Sequence, residues 1–148
     1  MNKTLRNVLI FLITFIAIML LNINLSNAAT SGDYEYTVKS DGTITITKYT
    51  KQEAVTTINI PSEIAGKKVT QLGRQSFLRA KADSIVVPNT VNTLDYGVFQ
   101  YSTIKTITIP SSVTKMNISM FTGATNLENP NINASIDVLT NATFSQCI

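Results

Sequence analysis

The chain has 148 residues, with 12 Lys and Arg, nine Asp and Glu, one Cys and no His. Without histidine there can be no Ser-His-Asp triad and no imidazole metal ligand, and one cysteine cannot form an internal disulfide. The formal net charge is +3, but two of the basic residues, Lys3 and Arg6, lie within the first 28 residues. The remainder therefore carries about +1, which gives no electrostatic basis for binding nucleic acid.

Residues 1–28 have the order of a secretory signal peptide. Two basic residues precede an apolar run of 14 residues, 8–21, that contains one threonine, and small side chains follow. Small residues three positions and one position before the cut favour cleavage after Ala28, with Ala29 as a near alternative. An uncleaved membrane anchor is the rival interpretation, although a spanning helix needs roughly 20 apolar residues. In either case we expect the rest of the chain to be secreted, extracellular or at the cell surface, with membrane contact only through this segment if it stays uncleaved.

Residues 29–57 are predicted to form a linker and an N-terminal capping hairpin. Apolar and polar residues alternate over 34–38 and over 44–47, and Asp41-Gly42 lies between the two runs. Asp-Gly between alternating runs is a strong hairpin signal, because glycine accepts the positive φ that the turn demands. A stacked array needs such a cap to shield its first core layer.

Four phenylalanines recur at intervals of 22, 22 and 23 residues: Phe77, Phe99, Phe121 and Phe144. An aliphatic residue stands five positions before each of them (Leu72, Leu94, Met116, Leu139), and another stands eight positions before (Val69, Val91, Val113, Ile136). A period in the low twenties is typical of stacked repeats, in which each unit buries its apolar face against its neighbours. The sequence predicts a repeat domain at 58–148, divided into 58–84, 85–106, 107–129 and a partial unit, 130–148.

Each unit is expected to contain a strand and a helical turn. Threonine and isoleucine alternate over Thr106–Ile109, which predicts a strand with a core face and a solvent face. Pro110 ends this strand, because proline cannot donate to a ladder. Residues 117–124, like 74–81, are interpreted as one helical turn that carries the inward phenylalanine. The predicted fold class is therefore an α/β-type repeat solenoid: a short parallel strand ladder with a single helical turn in each repeat of 22–23 residues, after a β-hairpin cap.

The repeat resembles a known family signature. Ile107-Thr108-Ile109-Pro110, with Val113 and Met116 after it, resembles the BspA-like (Treponema-type) leucine-rich repeat, Leu-x-x-Ile-x-Ile-Pro-x-x-Val-x-x-Ile-Gly-x-x-Ala-Phe-x-x-Cys. Residues 67–73 with Phe77, 88–94 with Phe99, and Phe144-Ser145-Gln146-Cys147 are similar to it in the same register. The family glycine is present as Gly73 and is replaced by Asp95, Asn117 and Thr140 in the later units. The resemblance implies a secreted or surface protein that adheres to host proteins or to other cells.

The residues give no support for catalysis, a metal site or a cofactor. Ser112-Val113-Thr114-Lys115 matches a Ser-x-x-Lys nucleophile pattern, but it follows a strand-ending proline and Val113 is expected in the core. The nine acidic residues are scattered and form no pair suited to glycoside hydrolysis. We therefore predict that the protein is not an enzyme. Cys147 is expected to fill a small-residue core position three residues after the last phenylalanine.

If the ladder binds a ligand, its outward side chains are the candidates. They are Thr57, Asn59, Val86, Thr106, Thr108 and Asn131, with Ser84 beside them. The alternative is that these residues only solvate a sheet face. We expect a protein or glycan ligand and no nucleic acid.

Two functional hypotheses follow. The first is a non-catalytic secreted or cell-surface leucine-rich repeat module that binds a protein or glycan partner in adhesion or cell interaction. The second is a structural segment, or truncated piece, of a larger self-associating surface array. The second hypothesis rests on the sequence ending inside a repeat, which would leave the C-terminal repeat, with Phe144 and the last ladder edge, uncapped and open to self-association.

Overall fold

The computed structural model of the chain describes residues 2, 6–7 and 28–134. Between residues 28 and 134 it contains eleven strands and no helical residue. The strands are β1 Ala29–Ser31, β2 Tyr34–Val38, β3 Ile44–Tyr49, β4 Val55–Asn59, β5 Glu63–Ile64, β6 Lys67–Leu72, β7 Ala82–Val86, β8 Thr93–Leu94, β9 Thr106–Ile109, β10 Lys115–Met116 and β11 Asn129–Ile132.

Most of the strands form two parallel ladders. The first ladder contains β3, β6, β8 and β10, and the antiparallel strands β2 and β1 extend it beyond β3. The second ladder contains β4, β7, β9 and β11, all parallel. Successive coils of the chain contribute one strand to each ladder, so equivalent residues of neighbouring repeats lie side by side. The structure is a β-solenoid.

Alternation along each strand places apolar side chains inside. In β9, Ile107 and Ile109 are buried while Thr106 is exposed, as the period of two predicts. Ile58 and Ile85 occupy the same column as Ile107 in the second ladder. Side chains from both ladders belong to one buried cluster, so a single continuous core runs through the repeats.

The predicted helical turns are wrong. The phenylalanine segments form a third ladder, in which every second amide donates to a carbonyl of the next coil. In the first repeat these bonds run from Gln75 to Tyr96, from Phe77 to Val98 and from Arg79 to Gln100, at 3.0, 3.0 and 2.9 Å. The intervening amides donate three residues back, as Leu78 does to Gln75. After its first four residues an α-helix directs each amide to the carbonyl four residues back. Here the Leu78 and Ala80 amides donate three residues back and the Arg79 amide donates to the next coil, so these bonds exclude an α-helix.

The backbone dihedrals also exclude an α-helix in the phenylalanine segments. The residues two before and two after each phenylalanine have positive φ: Gln75 and Arg79, Gly97 and Tyr101, Ser119 and Gly123. An α-helix requires φ near −63° at every position, so two left-handed residues four apart break it into successive turns. The α/β description is therefore replaced by an all-β solenoid with turns.

The hairpin supplies the first layer of an aromatic stack. Tyr49 of β3 stacks on Phe77 with ring centroids 5.5 Å apart, and Phe77, Phe99 and Phe121 follow at 5.8 and 5.7 Å. Tyr34 of β2 covers Tyr49 at 5.6 Å. The hairpin therefore continues the pattern of the repeats with tyrosine in place of phenylalanine and closes the N-terminal end of the stack.

Some expectations concern residues outside the described part of the chain. Most of the predicted signal peptide and the end of the partial repeat, with Ile136, Leu139, Phe144 and Cys147, lie outside the described residues, so the predictions made for these residues stay predictions. Among the described residues, no helix has the length and apolar character needed to cross a membrane.

Substitution of Phe99 tests the stack. Phe99 is fully buried between Phe77 and Phe121, so Phe99→Ala should lower the free energy of unfolding by about 3–5 kcal/mol. Phe99→Leu keeps most of the apolar volume and should cost less than about 1.5 kcal/mol. Urea denaturation of both variants provides the measurement. A small loss for Phe99→Ala would show that the site tolerates a cavity and would contradict the prediction, whereas an equally large loss for Phe99→Leu would show that the aromatic ring itself is required.

Tyr34 gives the fold a dependence on alkaline pH. Burial, with help from Tyr49 and Asp33, raises the pKa of Tyr34 to about 12, and its hydroxyl donates to the Asn59 carbonyl. Since the folded chain keeps this proton to a higher pH than the unfolded chain, the contribution is complete below about pH 10 and disappears as the pH rises through about 12. Tyr34→Phe should therefore lose less stability than the wild type between pH 9 and 12, as measured by urea midpoints. The same alkaline loss in both proteins would contradict this assignment.

Candidate functional site

The structure places all six predicted binding residues on the outer face of the second ladder. Strand register forms two adjacent columns, Thr57–Ser84–Thr106–Asn129 and Asn59–Val86–Thr108–Asn131. Ile58, Ile85 and Ile107 lie between the two columns and are buried in the core, so the column side chains on either side of them face away from it. The placement follows from strand geometry, and the role of these residues in binding stays a prediction.

The two columns form a neutral face with hydrogen-bonding groups. The hydroxyls of Thr57 and Ser84 are 2.8 Å apart, and Ser84 Oγ also lies 3.5 Å from the carbonyl of Thr56. Val86 is the one large apolar side chain in the columns and is 39% exposed. Neither column contains a charged residue. Hydroxyl and amide groups that repeat at about 4.8 Å can contact a partner by short-range hydrogen bonding.

A charged pair borders the face. Lys105 Nζ lies 3.1 Å from Asp83 Oδ1, and both side chains are more than half exposed. Such a pair contributes little to stability and adds no net charge to the border. The second ladder is therefore not suited to long-range attraction of a strongly charged ligand.

The outer face of the first ladder was not among the surfaces that the sequence predicted. Thr45, Gln71, Thr93 and Lys115 form a column there. Thr70 donates to the Thr43 hydroxyl at 2.9 Å, so polar side chains already bond to one another on this face. The alternating signal was too short to detect, because β8 and β10 contain two residues each.

Neither the Ser-x-x-Lys pattern nor the carboxylates form a reactive site. Ser112 Oγ donates to the Val91 carbonyl at 2.8 Å, which ties the hydroxyl to the preceding coil. Hydrogen bonds from Thr43 hold the pKa of Asp41 below its usual range, but this carboxylate belongs to the hairpin loop. Within residues 28–134, no group of three or more acidic or cysteine side chains is arranged to hold a metal ion.

Comparison with known proteins assigns the repeats to a family. The profile of the BspA type leucine-rich repeat region matches residues 34–148 in six copies. The chain belongs to the BspA-type leucine-rich repeat family. The match begins at β2, so it includes the hairpin whose tyrosine extends the aromatic stack.

Solved structures of bacterial leucine-rich repeat proteins share the fold. A leucine rich cell surface protein of Faecalibacterium prausnitzii is 29% identical, with a TM-score of 0.62 over 70% of this chain and 30% of that one. The leucine rich repeat protein of Treponema pallidum is 20% identical, with a TM-score of 0.72 over 82% of this chain and 57% of that one. A leucine-rich repeat protein from Bacteroides capillosus is 24% identical, with a TM-score of 0.55 over 71% of this chain and 97% of that one.

This chain thus spans less than two thirds of the length of the Faecalibacterium prausnitzii and Treponema pallidum proteins. No curated protein sequence matches it.

Proposed function

We propose that this BspA-type protein is a non-catalytic, secreted or cell-surface module that binds a protein or glycan partner through the outer face of its second ladder. The observation that carries the proposal is the register, which aligns Thr57, Ser84 and Thr106 in one column and sets Val86 and Thr108 beside them. The role inferred is adhesion or cell interaction.

Rigidity makes this face suitable for recognition. Hydrogen bonds fix each strand to its neighbours, and a continuous core anchors the opposite side of the sheet. A partner would therefore meet side chains whose backbone is already ordered, which reduces the entropic cost of binding. An extended surface with a fixed step also suits a partner that contacts several repeats.

Two observations support an extracellular or surface location. The first 28 residues have the pattern of a secretory signal peptide. The Faecalibacterium prausnitzii protein that shares the fold is described as a cell surface protein. The proposal that the function is non-catalytic rests on the lack of histidine and on the engaged Ser112 hydroxyl.

A structural role in a larger self-associating array is the second candidate. It is favoured by the outer strand of the second ladder, since β4 pairs with β7 only among the described strands. Tyr34 donates to the Asn59 carbonyl of β4, and backbone groups on such an edge that lack a partner can pair with a strand from another chain. Light scattering over a concentration series tests this candidate, because a monomer of constant mass would contradict it and growth in mass with concentration would favour it.

Lysine substitutions test the proposed face. The chain from Ala29 onward would be screened on arrays of purified glycans and extracellular-matrix proteins, and we expect at least one ligand. The double variant Thr106→Lys/Thr108→Lys should bind that ligand at least about tenfold more weakly, a loss of about 1.4 kcal/mol, because lysine adds bulk and charge to both columns.

The matched control is Thr45→Lys/Thr93→Lys, which makes the same change on the first ladder. Its binding should equal that of the wild type, and melting curves should show that both double variants fold. Equal binding by the wild type and Thr106→Lys/Thr108→Lys would exclude the second ladder as the binding face.

A further inference from the structure

A third surface of the solenoid has a different chemistry. It is the outer side of the phenylalanine turns, residues 74–81, 96–103 and 118–125, called here the turn strip. Of the five exposed large apolar side chains among the described residues, three belong to it: Leu78 at 41%, Tyr101 at 50% and Ile118 at 43%. The others, Val38 and Val86, lie on separate strands.

The turn strip is also cationic. Arg74, Arg79 and Lys81 are exposed, and the three segments contain no aspartate or glutamate. The four ion pairs among the described residues all use other lysines, so these three cations have no carboxylate partner there. The nearest acidic residue in sequence to the second segment, Asp95, accepts hydrogen bonds from the Tyr96 amide and from Asn117. Positive charge therefore remains available to a ligand.

A cation–π contact and hydrogen bonds hold Arg74 and Tyr96 of the turn strip in place. The Arg74 guanidinium carbon lies 4.7 Å from the centre of the Tyr96 ring. Hydrogen bonds with Ser119 and Gln100, and the nearby charge of Arg74, lower the pKa of Tyr96. Gln100 is buried and accepts a hydrogen bond from Gln75 Nε2 at 2.9 Å. Side chains from three successive repeats are thus joined into one surface.

Tyr101 is positioned by the following repeat. A Cβ atom on Gly123 would overlap the Tyr101 ring, so the ring lies directly on the glycine backbone. Gly123 also has φ +72°, which glycine adopts without strain. The supported tyrosine is half exposed, so it presents an aromatic surface that is ordered before any ligand binds.

We propose that the turn strip binds an acidic segment of a partner protein. Carboxylates of the segment would pair with Arg74 and Arg79, and its apolar side chains would cover Leu78, Tyr101 and Ile118. Charge complementarity favours an acidic partner, and tyrosine and arginine are enriched where protein interfaces gain most of their affinity. The two exposed aliphatic side chains favour a polypeptide over an acidic glycan, because sugar hydroxyls would leave them without apolar contacts.

Peptide display supplies a defined probe. The chain from Ala29 onward, which contains the whole described core, would be used to select from a random 12-residue peptide library. We expect selected peptides that combine Asp or Glu with apolar residues and whose affinity falls as salt rises. Failure to select any peptide, or selection without acidic enrichment, would overturn the proposal.

Variants then locate the binding site of the selected peptides. Arg79→Glu reverses one charge, and Tyr101→Asn removes the ring while keeping a residue that tolerates positive φ. Each should weaken peptide binding at least about tenfold, measured by fluorescence anisotropy. Leu78→Asp provides a third variant in case either of the others melts early, and Thr106→Lys/Thr108→Lys is the control that should bind normally.

The outcomes separate this inference from the proposed function. Loss of peptide binding only in Thr106→Lys/Thr108→Lys would assign the peptides to the second ladder and overturn the turn-strip proposal. Unchanged binding in all three strip variants would also overturn it. Binding of heparin or hyaluronan that Arg79→Glu abolishes, without any peptide binding, would identify an acidic-glycan surface and exclude the protein segment.

Discussion

The hydrogen bond from one coil to the next is the constraint on which the structure depends. In the turns, the Phe77 amide donates to the Val98 carbonyl and the Phe99 amide to the Met120 carbonyl, both at 3.0 Å. These bonds set a small, constant step between coils. Because the step is constant, each position of a repeat lies next to the same position of its neighbour, and the phenylalanines form a continuous stack inside.

The same constraint produces the outer surfaces. Stacking aligns neutral hydroxyl and amide side chains such as Thr106 and Thr108 on the second ladder. It also places Arg79 next to Tyr101, whose ring lies on Gly123, on the turn strip. The three segments of the strip contain no aspartate or glutamate that could neutralise the positive charge. One rigid body therefore carries two surfaces of different chemistry. The proposed binding face and the proposed acidic-segment site can function independently, since different side chains form them.

The wrong prediction of helical turns shows why local sequence was not sufficient to predict the structure of the phenylalanine segments. Residues 74–80 include Arg, Gln, Leu and Ala, which favour helix over a short window. Bonds to the next coil involve residues about 20 positions away, so no local window contains them. The outward positions of the six candidate residues could be read from the sequence because strand alternation is local, and their role in binding stays a prediction. The placement of Tyr101, in contrast, depends on Gly123 in another repeat.

The sequence by itself determined the repeat period, because the spacing of the phenylalanines shows which residues of the repeats are equivalent. It also determined the inward face of β9 and the columns of the second ladder, because the side chains of a strand alternate between its two faces. The tertiary structure decided that the turns are a third ladder and that Tyr49 extends the aromatic stack. It also decided that exposed apolar and cationic side chains meet on one surface. These features arise only when coils are stacked, since their contacts join residues that are distant in sequence and adjacent across the solenoid.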